Sequence, residues 1–248
     1  MSVVRLTLAY DGTGFRGWAR QRDQRTVQGV LEVALERFLG ADPRLSVAGR
    51  TDAGVHAREQ VVSFSLQDDV DLARLQRALN GTLAPEVVCL DLRTAPRGFD
   101  ARFSATAREY RYRIDVGSVP DPFEARYVWH RPGELSVISM RTAARDLVGE
   151  HDFASFCRRP PVGNTVRRLE RLSVRRLGDH IEISARAPAF LHQMVRSLTG
   201  TLVAVGEGKI DASSMPEALA SRSRSAAGPV APPHGLTLER VVYGARRG

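Results

Sequence analysis

The segment Ala48–His56, AGRTDAGVH, concentrates side chains that can do chemistry. Gly49 and Gly54 flank Arg50, Thr51 and Asp52. Glycines on both sides allow a tight turn and close approach of a bulky ligand. A guanidinium two residues from a carboxylate favours the ionised acid. An ionised aspartate can act as nucleophile or base. An ordinary turn closed by an Arg50–Asp52 ion pair satisfies the same pattern. His56 could act as a general base, but it reads more simply as a residue that steadies the loop. A carboxylate-based hydrolase would need a second acid near Asp52, and the loop holds none.

Two other stretches hold candidates. In EYRYRI, Tyr110 and Tyr112 fall two residues apart, on one face of a strand. Either ring can stack on a base, worth about 1–3 kcal/mol, or pack in a sheet. In FLHQMVRSLTG, Arg196 sits half a turn from the apolar stripe of Phe190, Met194, Leu198 and Leu202. It faces either solvent or a cleft.

These residues need elements to carry them. Val3–Tyr10 reads as a strand, followed by the Gly-rich DGTGFRGW loop. Asp11 reads as a turn residue there, and Phe15 and Trp18 as packing residues. Apolar spacing predicts a helix over Val27–Leu39, with Thr26 as N-cap and Gly40 as stop. Strands are expected at Leu45–Val47, Gln60–Leu66 and Val87–Leu92, and a helix at Leu72–Leu79 behind Asp71. The second half repeats the theme. It has a strand at Glu109–Val116, a helix at Ser139–Val148, and a hairpin of Val166–Arg176 with His180–Ala185. An apolar helix at Phe190–Val205, a short helix at Met215–Ala220 and a strand at Leu238–Tyr243 close the chain. The expected class is α+β: two similar sheet-bearing halves, RRM/ferredoxin-like in arrangement, with helices packed on the sheet and a central cleft. The halves are read as 1–105, carrying the Asp52 loop, and 106–248.

Length and charge bound the function. The 248 residues fit one or two domains. Thirty-six basic against 28 acidic residues leave +8, and Lys209 is the sole lysine. Arginine's planar fork suits phosphate and stacks on bases, so a nucleic acid is the expected partner. A GC-rich coding sequence with solvated helix faces gives a similar composition. Arginines cluster at Arg16, Arg20, Arg22 and Arg25, at Arg108, Arg111 and Arg113, and at Arg158, Arg159, Arg167, Arg168, Arg171, Arg175 and Arg176. Alternation puts Arg111 and Arg113 opposite the two tyrosines. Two distant cysteines, Cys89 and Cys157, argue against a disulfide framework or a zinc site. No apolar run reaches a membrane span. The start holds no long apolar stretch or cleavage site, so no secretory signal is expected and the cytoplasm is the expected compartment.

AGRTDAGVHA resembles the catalytic motif of the tRNA pseudouridine synthase A family. YDGTGFRGWARQ with RTVQGVLE is similar to the family's opening, ARFSATAREYRYRI to its second signature, FLHQMVRSLTG to its third, and APPHGLTLERVVY to its final strand. The matches run in family order across most of the chain. The resemblance implies isomerisation of uridine to pseudouridine at positions 38 to 40 of the tRNA anticodon arm, by a homodimer without metal or cofactor. It puts the catalytic aspartate at Asp52. Arg50 would hold or displace the target nucleotide, and Tyr110 would stack on uracil or take the C5 proton. Arg196 would pair with the catalytic carboxylate, since an unpaired buried acid is driven neutral. The family often has His-His where this chain has His192-Gln193, so no role is assigned to the second position. The alternative reading is a non-catalytic RNA-binding module or tRNA folding chaperone. It accounts for the charge but not for these four matches.

Overall fold

The computed structural model describes residues 2–40, 43–67, 69–158 and 163–244. Among them the elements run β1 (Ser2–Tyr10), α1 (Val27–Leu39), β2 (Ser46–Val47), β3 (His56–Leu66), α2 (Leu72–Leu83), β4 (Val87–Ala95), β5 (Ala105–Asp115) and β6 (Trp129–His130). There follow α3 (Val137–Asp146), β7 (Gly149–Asp152), β8 (Val166–Leu169), β9 (Arg171–Leu177), β10 (His180–Ala187), α4 (Met194–Gly206), α5 (Met215–Ser221) and β11 (Leu236–Tyr243). The mixed α+β class is as expected. The chain divides into two units, Met1–Arg108 with Leu238–Gly248, and Glu109–Thr237.

In the first unit the strand order is β4-β1-β3-β11, with β2 also paired to β3. β1 is antiparallel to both β3 and β4, so the central order is that of an RRM-like sheet. α1 starts where the Thr26 hydroxyl accepts from the Gly29 amide, and stops at Gly40 in the left-handed region. α2 starts on the Asp71 carboxylate and runs past Leu79, the expected end. Asn80 does not stop it, because its side chain both accepts from the Cys89 amide (2.7 Å) and donates to the Cys89 carbonyl (3.0 Å). β3 starts four residues earlier than expected. Its register against β1 slips between Leu8 and Tyr10, which pair with Gln60 and Ala57. That bulge leaves Arg58 and Glu59 exposed and breaks the alternation that periodicity reads.

The second unit has the order β5-β10-β9, with β6 parallel to β5 and a separate β7-β8 pair. α3 packs on α4 and on β9. The expected long arm Val166–Arg176 is two strands. Leu169 is buried, but so are Leu172 and Val174, and this odd spacing switches faces at Glu170. α4 begins at Met194 rather than Phe190, after Gln193 turns left-handed with φ 62°. Every residue of α4 is buried except Arg196, Ser197, Thr199 and Thr201 included, so the helix is enclosed on almost every side. No helix among the described residues is long and apolar enough to cross a membrane.

Candidate active site

In the first unit Asp52 lies half-buried at the start of a turn closed by the Val55 amide donating to the Asp52 carbonyl (3.1 Å). Arg50 is exposed, and Thr51 between them is buried. Three sets of bonds hold this loop. The Tyr10 hydroxyl meets the Thr51 hydroxyl at 2.8 Å, and Gln60 Nε2 donates to Tyr10 Oη (3.3 Å) and to the Gly49 carbonyl (2.7 Å). Burial pushes the Tyr10 phenol up to about 12, against the pull of its bonds with Thr51 and Gln60. It therefore stays protonated at neutral pH and can accept from Gln60 while donating to Thr51.

The second set comes from Arg108, which sequence position groups with the basic surface. It is in fact buried, 8 % exposed. Its Nε donates to the Ala48 carbonyl at 3.0 Å, joined there by Nη2. Nη2 also reaches the Arg102 carbonyl (2.8 Å), and Nη1 the Ala105 carbonyl (3.4 Å). One guanidinium thus ties the entry of the Asp52 loop to the start of β5.

The third set is the Gly-rich N-terminal loop, packed main chain to main chain. The Trp18 amide donates to the Thr51 carbonyl (3.0 Å) and the Gly54 amide to the Phe15 carbonyl (3.3 Å). A Cβ on Gly12 would lie 2.1 Å from the Val55 carbonyl oxygen, so only glycine permits this approach. Phe15 and Trp18 are buried, and Asp11 accepts from the Thr13 amide (2.9 Å), a turn residue as read. His56 Nδ1 accepts from the Gly12 amide at 3.0 Å, which needs that nitrogen unprotonated. Asp11 Oδ1 lies 3.1 Å from the same nitrogen and would replace the amide as partner in the imidazolium.

In the second unit the two tyrosines separate. Tyr112 is fully buried, and its hydroxyl donates to the Pro232 carbonyl (2.7 Å). Its ring lies against Gly235, where a Cβ would come within 2.6 Å. Burial drives its pKa well up, with the Arg196 charge pulling the other way. Tyr110 is 8 % exposed, and its ring meets Phe190 edge to face at 5.2 Å. Arg196 Nε donates to the Ala231 carbonyl (2.8 Å), and the Ala231 amide returns a bond to the Arg196 carbonyl (3.1 Å). Phe190 and the Ala231–Pro232 main chain are thus the immediate supports of Tyr110, Tyr112 and Arg196. The apolar stripe placed Phe190 in the helix core, and no local signal tied Ala231–Pro232 to these side chains.

Several arginines are already engaged. Arg111 pairs with Glu182 (3.3 Å) and Arg113 with Glu124 (2.8 Å), on the face opposite the tyrosines. Arg25 holds Glu86 (2.7 Å) and lies over the Phe15 ring (4.3 Å). Arg159 lies outside the described residues. No group of three or more His, Cys, Asp or Glu among the described residues could hold a metal ion.

The chain matches the family model for tRNA pseudouridine synthase over residues 7–104 and 143–244. It is 51 % identical over 246 residues to the tRNA pseudouridine synthase A of Frankia casuarinae, covering 97 % of this chain and 89 % of that protein. It is 44 % identical over 244 residues to that of Brevibacillus brevis, with 98 % and 100 % covered. With that of a Methylobacterium species it shares 45 % over 245 residues, covering 98 % of each.

Proposed function

The chain belongs to the tRNA pseudouridine synthase family, and from that premise we propose that Asp52 is its catalytic carboxylate and that its targets are uridines 38 to 40 of the anticodon arm. The enzyme isomerises uridine to pseudouridine in tRNA. The N1–C1′ bond breaks, uracil turns, and a C5–C1′ bond forms. The C5 proton leaves and N1 gains one, so the atoms balance without oxidant, reductant or energy source.

The observation that carries the Asp52 assignment is how its loop is held. Ala48, Gly49, Thr51 and Gly54 are each bonded to buried side chains or to the N-terminal main chain, while Asp52 itself stays half-buried. Such pre-organisation is what a reacting group needs. The target base must leave its stack, at a cost of about a few kcal/mol. Exposed Arg50 supplies a cation for the displaced nucleotide's phosphate. The Tyr110 ring offers a stacking partner worth about 1–3 kcal/mol. Arg196 is the cation that the family resemblance assigns as the carboxylate's partner. The protein works as a homodimer in the cytoplasm, as the family resemblance implies.

Tritium release from tRNA labelled at uridine C5 tests this reading. Wild type releases label with no added cofactor. Asp52→Ala releases none yet binds tRNA with a Kd within about threefold, because phosphate contacts supply most of the affinity. Normal turnover in Asp52→Ala would remove the assignment. Mapping pseudouridine in tRNA from cells lacking the protein tests the three positions.

A further inference from the structure

The second unit holds a cavity of about 480 Å³ lined by Arg158, Gln193, Arg222, Ser223 and Arg224, among others. Three arginines thus border one cavity. Asp152 offsets part of this charge, pairing with Arg222 Nε at 3.0 Å. Arg224 is oriented by neutral partners, donating from Nη1 to the Ala227 carbonyl (3.1 Å) and from Nη2 to the Gly228 carbonyl (2.7 Å). Those carbonyls fix its direction without cancelling its charge. The Arg158 amide donates to the His192 carbonyl (2.9 Å), which ties this stretch to the approach of α4.

The backbone is strained here as well. Among the described residues, three that are not glycine have positive φ: Asp23, Gln193 at 62° and Arg222 at 50°. Two of the three line this cavity. Such conformations cost free energy and persist where the surroundings enforce them, often at ligand clamps. Gln193 spends its side chain on no cap bond to α4. It precedes Arg196 by three residues, about 4.5 Å along a helix axis.

We propose that this cavity is a phosphate subsite that grips a phosphodiester of the tRNA backbone, through Arg158, Arg222 and Arg224. The proposal rests on the tRNA-modifying reading above. Arginines already neutralised by Glu182 and Glu124 are poor candidates for that task, whereas this cluster keeps excess positive charge.

The test is tRNA binding as a function of salt. In Arg158→Gln/Arg222→Asn, asparagine tolerates the left-handed backbone. Its Kd should rise about tenfold at physiological salt, and the log–log salt slope should become shallower by about 0.7–0.9 for each phosphate no longer neutralised. The kcat at saturating tRNA should stay within about twofold of wild type. Arg175→Gln/Arg176→Gln removes the same charge from exposed positions of β9 and should change Kd far less. If the double variant does not fold, exposed Arg158→Gln alone should show part of the weakening. A pocket variant matching wild type, or matching the charge control, overturns the subsite. Abolished binding of inorganic phosphate with an unchanged tRNA Kd overturns it too, by assigning the cavity to a free anion. A wild type that makes no pseudouridine defeats the functional reading instead, and the two failures are thereby distinct.

Discussion

Two buried side chains decide how firmly Asp52 is presented. Tyr10 bridges Thr51 and Gln60 with one hydroxyl. Tyr10→Phe strips a partner from both, and an orphaned buried polar group costs about 1–3 kcal/mol. The denaturation midpoint should fall accordingly, and turnover should drop more than tRNA affinity. An unchanged midpoint would mean that the hydroxyl contributes nothing to holding Thr51. Arg108 is the sharper case, because its fork serves three carbonyls. A lysine ammonium is a point donor and cannot span them. Arg108→Lys should keep the fold while lowering kcat on the order of 10–100-fold, the cost of displacing a reacting group by roughly 1 Å. A variant with wild-type kcat would reduce Arg108 to a packing residue.

Among the elements, α4 does the most positioning. It buries every side chain but Arg196, so that cation's place follows from the whole helix. The helix touches residues 228–231 main chain to main chain at Gly200. A Cβ on Gly200 would sit 1.8 Å from the Pro229 carbonyl oxygen and 3.1 Å from the Ala231 amide nitrogen. Gly200→Ala must therefore push this segment away, at a cost of about 1–3 kcal/mol for overpacking. The Ala231 carbonyl that anchors Arg196 moves with it. Activity should fall further than the melting shift alone predicts, as measured by label release on the still-folded fraction. β5 works differently. Its alternation sends Tyr110, Tyr112 and Ile114 inward and Arg111 and Arg113 to their carboxylate partners, so adjacent residues serve unrelated ends.

Across the molecule, the excess of arginine is partly spent internally. Hydrogen bonds from Arg25 and Arg113 hold Glu86 and Glu124 below the usual carboxylate range. Burial pushes Asp100 and Asp115 up, but the Phe103 amide for one and the Gly117 amide for the other, with further partners, outweigh it. All four carboxyls bind protons less readily when folded. Their stabilisation is complete above about pH 4, the ordinary carboxylate value, and is lost as pH falls through the depressed folded values. The melting temperature should be level from about pH 7 to pH 5 with respect to these groups and fall steeply below about pH 4. A protein equally stable at about pH 2.5 would contradict these pairings. If the remaining exposed arginines dock the tRNA, its Kd should rise steeply with salt, and a flat salt response would contradict that role.

Local signals made much of this protein legible in one dimension. Apolar periodicity with Thr26, Asp71 and Gly40 located α1 and the start of α2, because caps and spacing act within one or two turns. Asp52 stood out as a candidate for the same reason: the glycines and the arginine that mark it are its sequence neighbours. What tertiary structure alone decided lies between residues far apart in the chain. Arg108 reaches Ala48 across 60 residues, and Tyr112 reaches Pro232 across 120. The first bond turns a surface arginine into a buried brace, and the second commits one of two equivalent tyrosines to a scaffold role. Neither can be read from spacing, because a side chain's environment comes from whatever folding packs against it. Periodicity reports only which way it points.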